Sequence, residues 1–113
     1  MGFKVAAEGA ERQFTAKVTA HVPVDGGTKE ERFKARYRVL NTDQLEEFNL
    51  GTTEGTTDFL RKVIVELFEL VDESNNPIAY NDDIRDQVII DPPARTALIR
   101  GYFDNISKGR KGN

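Results

Sequence analysis

Between Asp58 and Asp72 the apolar residues recur at helical spacing: Leu60, Val63, Ile64, Leu67, Phe68 and Val71 fall at i, i+3, i+4, i+7, i+8 and i+11. The pattern predicts an amphipathic helix over DFLRKVIVELFELVD. Phe59, Val65 and Leu70 widen its apolar arc, while Asp58, Lys62, Glu66, Glu69 and Asp72 hold a narrower polar stripe. Thr57 is the expected N-cap, with Asp58 suited to the positive end of the helix dipole. Burying the six stripe residues contributes roughly 9–18 kcal/mol gross, at about 1.5–3 kcal/mol each. No other segment offers as much, so this helix is expected at the centre of the core.

Upstream the period is two. Phe14, Ala16, Val18, Ala20 and Val22 alternate with Thr15, Lys17, Thr19 and His21, as in a half-buried strand. A second run alternates Phe33, Ala35, Tyr37 and Val39 with Arg32, Lys34, Arg36 and Arg38. Asp25-Gly26-Gly27-Thr28 between them is a turn signal. The two runs predict a β-hairpin with a basic outer face. FKVAA at residues 3–7 is a weaker strand candidate that would extend the hairpin to a three-stranded meander.

After the hairpin the period becomes helical. Asn41 and Gln44 are spaced for a capping box on a short helix that buries Leu45 and Phe48. Residues 51–55 read as a small polar loop before the central helix. Glu73-Ser74-Asn75-Asn76-Pro77 is a turn, after which Ile78 and Tyr80 are expected to fold back onto the core. Asn81 caps a short acidic helix carrying Ile84, Val88 and Ile89. Asp91 caps a last helix with Pro92 at its first position. The stripe of that helix is Leu98, Ile99, Tyr102, Phe103 and Ile106, and Gly101 inside it suggests a close helix contact.

The order is β-rich, then helical. The predicted class is α+β: an N-terminal antiparallel β-hairpin or three-stranded meander followed by a small bundle of about four helices. With 113 residues the chain is expected to be one domain. Residues 1–40 form its β-rich part, 41–107 its helical part and 108–113 a flexible basic tail. No apolar run approaches a membrane span or a secretory h-region.

Charge adds a second pattern. Residues 1–40 hold eight Lys/Arg and five Asp/Glu, residues 41–91 hold three and thirteen, and residues 92–113 hold five and one. An acidic middle lies between two basic ends. That distribution fits a solvated acidic surface, or a homo-oligomer in which a basic face of one copy meets an acidic face of the next. It disfavours nucleic acid, whose phosphates the acidic block repels.

Candidate catalytic chemistry is sparse. The chain has no cysteine, which excludes disulfides and thiolate metal sites and fits a cytosolic setting. His21 is the only histidine and sits on a polar strand face with no visible nucleophile or orienting partner. Ser74 and Ser107 are not in nucleophile-elbow contexts. Asp72-Glu73-Ser74-Asn75-Asn76 places oxygen ligands at positions 1, 3 and 5 of a calcium-type loop. Pro77 stands where that loop needs glycine, and Asp83 where it needs a bidentate Glu. No enzyme, cofactor or metal site is expected.

From Arg32 to Asn113 the order of features resembles the tail assembly chaperones of long-tailed bacteriophages. The resemblance begins with RFKARYRVL entering a short acidic helix and is best at KVIVELFELVDESNNPIAYN. It continues through VIIDPPARTALIRGYFDNISKG to the basic, Asn-ended RKGN. Where members often carry a tryptophan in the central helix, this chain has Leu67 or Phe68. The resemblance implies a non-enzymatic protein that binds the helical tape measure protein, keeps it soluble and helps recruit tail-tube protein. It also implies action in the host cell cytoplasm, or from a prophage, and absence from the mature virion.

On that basis partner binding is expected through Arg36 and Arg38 on the hairpin and through Phe59, Val65 and Leu70 on the central helix. The rival expectation for those three apolar residues is that they are core. Two other functions fit the same composition. One is a structural tail-completion or connector component, and the other is a small nucleic-acid-binding regulator using the basic hairpin.

Overall fold

The two alternating runs pair in register. In a computed structural model, which describes residues 2–107, β1 (Gln13–Val24) and β2 (Gly27–Arg38) form an antiparallel hairpin. Their partners run from Gln13↔Arg38 to Val24↔Gly27, so Asp25 and Gly26 make the turn. Gly26 has φ +85°, a left-handed conformation that glycine adopts without a Cβ penalty. The inner face of the hairpin carries the buried residues Ala16, Val18, Ala20, Phe33, Ala35 and Tyr37.

The remaining elements are α1 (Thr42–Leu45), α2 (Thr53–Val63), β3 (Ile64–Phe68), α3 (Asp82–Ile90) and α4 (Pro92–Ile106). Among the described residues the sheet has three antiparallel strands in the order β1-β2-β3 and is accompanied by four helices, an α+β arrangement. α4 lies along β1, α2 touches β2, and α3 packs on both helices. One face of the sheet is therefore roofed and the other is open.

The centre of the chain departs from the expected single helix. The helix begins five residues earlier than predicted, with Thr52 as N-cap accepting from the Gly55 amide at 2.9 Å. It ends at Val63, and Ile64–Phe68 is a strand that pairs with β2. The β-branched run Val63-Ile64-Val65 favours extended backbone. A bulge at Val65, between the pairs Tyr37↔Ile64 and Arg36↔Glu66, also puts both Ile64 and Leu67 on the inner face. Buried positions spaced by three in this segment thus arise from a bulged strand as well as from a helix. FKVAA is no strand: Phe3 and Val5 are exposed, and the third strand is β3 instead. The predicted tail at residues 108–113 lies outside the described residues.

The other three caps follow the sequence. Asn41 and Gln44 complete a capping box, Asn81 accepts from the Ile84 amide, and Asp91 accepts from the Ala94 amide with prolines following. The core is aromatic at its centre: Tyr37 stacks on Phe14 at 5.1 Å and meets Tyr102 edge-on at 5.6 Å, while Phe59 stacks on Phe103 at 5.6 Å. The Tyr37 hydroxyl donates to the Leu98 carbonyl at 2.8 Å, and the Tyr102 hydroxyl accepts from the Leu40 amide at 3.1 Å. Burial pushes the Tyr37 phenol well above its ordinary value, so it stays a neutral donor. Gly101 is the close contact of α4 with the sheet, since a Cβ there would sit 2.7 Å from the Tyr37 hydroxyl oxygen.

Candidate functional site

Two surfaces stand out, one on each side of the hairpin. The first is the open face of the sheet. Alternation places Lys17, Arg32, Lys34, Arg36 and Arg38 on it, with Glu66 and Phe68 joining from β3. Several cations are paired at the margins: Lys34 with Glu69 at 3.0 Å, Arg38 with Glu11 at 3.4 Å, and Arg32 with Glu30. Glu11 titrates below the usual carboxylate range, chiefly because Gln13 donates to it, with Arg38 and Lys62 adding to the effect. Arg36 is bound differently. It reaches neutral acceptors on β1, Gln13 at 2.8 Å and Thr15 at 2.9 Å, and forms no ion pair among the described residues. Ion pairs on such an exposed face are worth little, about 0–1 kcal/mol each, so they can be exchanged for a partner's acids.

The second surface lies on the inner side, at the distal end of the hairpin. Each hairpin strand has 12 residues, about 40 Å at 3.3 Å per residue. The helix along β1, α4, has 15 residues, about 22 Å at 1.5 Å per residue. The first turn of α4 reaches β1 beside Thr19, His21 and Pro23, yet the distal inner face is incompletely covered, with Val24 48% exposed. What remains is a groove of about 810 Å³ between the distal hairpin, the connection at residues 69–78, and α3. Ala20, Val22, Phe33, Leu70, Ile84 and Val88 give it an apolar floor. Six carboxylates and two cations line it, so its rim is acidic. Glu69 and Asn75 in the connection both adopt positive φ, 65° and 64°. The Asp72 carboxylate accepts from the Ser74 and Asn76 amides at 2.8 and 2.9 Å, which makes this segment an Asx-type turn.

The five sequence-predicted partner residues separate. Arg36 and Arg38 share the open face of β2. Val65 is the half-buried bulge residue of β3, and Leu70 lines the groove, so neither is on the continuous helix expected of them. Phe59 is 0% exposed and belongs to the core, stacked between Phe103 and the edge of Tyr102. It has no surface to offer a partner. His21 is exposed on β1, opposite Glu30.

The groove was not anticipated. Its one sequence signal is the continuation of inner-face alternation in β1 to Val22, while the facing positions of β2 turn polar.

Comparison of the chain with family models, with curated proteins and with solved structures finds no match. Among the described residues no helix is long and apolar enough to cross a membrane.

Proposed function

We propose that the chain is a non-enzymatic phage tail assembly chaperone that binds the tape measure protein and assists tail-tube assembly. The observation that carries this reading is the open, basic face of the sheet, with Arg36 oriented by neutral partners. Such a face binds another protein through many weak, exchangeable contacts. It suits a protein that must hold a long helical partner in solution and later release it. The order of features from Arg32 onward, similar to that of the chaperone family, supplies the identity of the partner. In this reading the protein acts in the host cytoplasm and is left behind when the tail is complete.

Co-expression with the tape measure protein of the same phage tests the proposal. The expected result is a soluble complex that co-purifies, with the chain absent from purified particles. Failure of two well-expressed proteins to associate, or incorporation of the chain into particles, contradicts it. The second outcome would indicate a structural tail component.

A further inference from the structure

We propose that residues 3–7 of a second copy of this chain add, as an extended strand, to the free edge of β2 beside the groove. Bond parity locates that edge. The Val39 N–H donates to the Arg12 carbonyl at 2.8 Å, continuing the β1–β2 ladder. Peptide groups of successive strand residues point to opposite sides, so the odd residues of β2 bond to β1 and the even ones face away. β3 takes up that second side only over Lys34–Tyr37. Thr28, Glu30 and Arg32 aim their amides and carbonyls past its end, and among the described residues no strand or backbone bond meets them there. Such an edge is a template for one more strand. The groove lies against it, and Val22, Phe33 and Leu70 belong to its apolar floor.

The same chain carries a segment of the right kind. Phe3 and Val5 are 79% and 85% exposed, and the stretch that holds them pairs with no strand. Arg12 donates to the Lys4 carbonyl and lies over the Phe3 ring at 4.7 Å. That exposed cation–π contact is worth only about 0.5–1 kcal/mol. In an extended conformation Phe3, Val5 and Ala7 share one face, and Lys4 and Ala6 the other. The first face fits the apolar floor, and the second continues the open face of the sheet.

The occupant is a second copy because the chain's own segment falls short. Ala7 is five residues from Arg12, a reach of at most about 18 Å. Arg32 lies seven residues from Val39, about 23 Å along β2. Pairing of two β2 edges about a two-fold axis would set one residue opposite its own copy, and Lys29, Glu30, Glu31 and Arg32 are all charged. Exchange of residues 3–7 between two copies leaves neither a segment nor an edge free. Val24 does not line the groove and is not part of this contact.

Sedimentation velocity of the full chain over a dilution series is the test. The expected result is a reversible dimer, with twice the mass of one chain at the highest concentrations. Phe3→Asp/Val5→Asp changes two exposed positions and is expected to give a monomer throughout, with the melting temperature in place. Glu30→Pro removes an amide hydrogen that the fold leaves unused, and is expected to do the same. A fluorescein-labelled peptide of residues 2–8 is expected to bind the Phe3→Asp/Val5→Asp chain at least about tenfold more tightly than a peptide with aspartate at positions 3 and 5.

A parent chain that stays monomeric, a dimer that survives either variant, or equal binding of the two peptides would overturn the proposal. Loss of the fold in Glu30→Pro would place that amide in the monomer's own bonding and overturn it as well. The contact does not rest on the proposed function: tape measure co-purification can fail while the dimer stands, and the reverse.

Discussion

Along β1 the base and the tip of the hairpin carry the same alternation and end in different environments. At the base, Val18 and Tyr37 face α4 and, like Ala35, are at most 1% exposed. At the tip, Val22 is half-buried and Val24 is 48% exposed. β1 keeps its apolar inner face to the tip, whereas the inner positions of β2 turn from Tyr37, Ala35 and Phe33 to Glu31 and Lys29, so the apolar face narrows to one strand and its cover thins. A period-two pattern therefore specifies which face of a strand is apolar, but not what covers it. Coverage is set by the lengths of the other elements, and the uncovered remainder is where a partner can bind.

The base should be far more sensitive to truncation than the tip. Phe59→Ala removes a fully buried ring in contact with Phe48, Tyr102 and Phe103 and is expected to cost about 3–5 kcal/mol. Urea unfolding reads this directly. A cost below about 1 kcal/mol would mean that Phe59 is not core.

Gly101→Ala is the next largest. The new methyl would meet the Tyr37 hydroxyl oxygen at 2.7 Å, where that group is bonded to the Leu98 carbonyl. Overpacking costs about 1–3 kcal/mol, offset by about 1 kcal/mol of improved helix propensity. The strain should fall when the hydroxyl is removed. The penalty is expected to be smaller in a Tyr37→Phe background, and a strictly additive double mutant would contradict the close contact.

These two predictions also show what was legible beforehand. The hairpin, its turn, the capping residues Asn41, Asn81 and Asp91, and the close approach at Gly101 all follow from local rules, so they were readable from a few neighbouring residues. The segment Ile64–Phe68 was not. Its buried residues satisfy a helical stripe and a bulged strand equally well, and pairing with β2 decides between them. That pairing joins residues about 30 apart in sequence. The same misreading hid the groove, because Leu70 was assigned to a helix face when it belongs to the turn that walls the groove.

The far wall of the groove, α3, is tied to α2 by Arg61 and Asp86 at 3.1 Å, with Arg85 also at 3.1 Å from the same carboxylate. Burial alone would raise the Asp86 carboxyl. Hydrogen bonds from Arg85 and Arg61 outweigh it and leave the group below its usual value. Its folded pKa lies below the unfolded one. The pair's contribution is therefore full above the unfolded value, near 4, and is lost as the pH falls through the lower folded value. Asp86→Asn is expected to cost at most about 1 kcal/mol at neutral pH, because the pair is partly exposed. The difference from the parent should vanish in strong acid; a difference that grows as the pH falls would contradict this.

At the tip, Val24→Ser is expected to change stability by no more than about 0.5 kcal/mol, in contrast to the base. A large loss there would mean that the tip is covered in solution, as in an oligomer, and the base–tip distinction would fail.

The most direct test of the account is the amount of tape measure protein recovered with Arg36→Glu/Arg38→Glu relative to the parent chain, after co-expression. Both positions lie on the open face, and reversing them replaces two cations with two acids where a partner is proposed to sit. A marked fall in recovered complex, with the variant still folded by circular dichroism, is the predicted result. Recovery equal to the parent would contradict the claim that this face carries the binding.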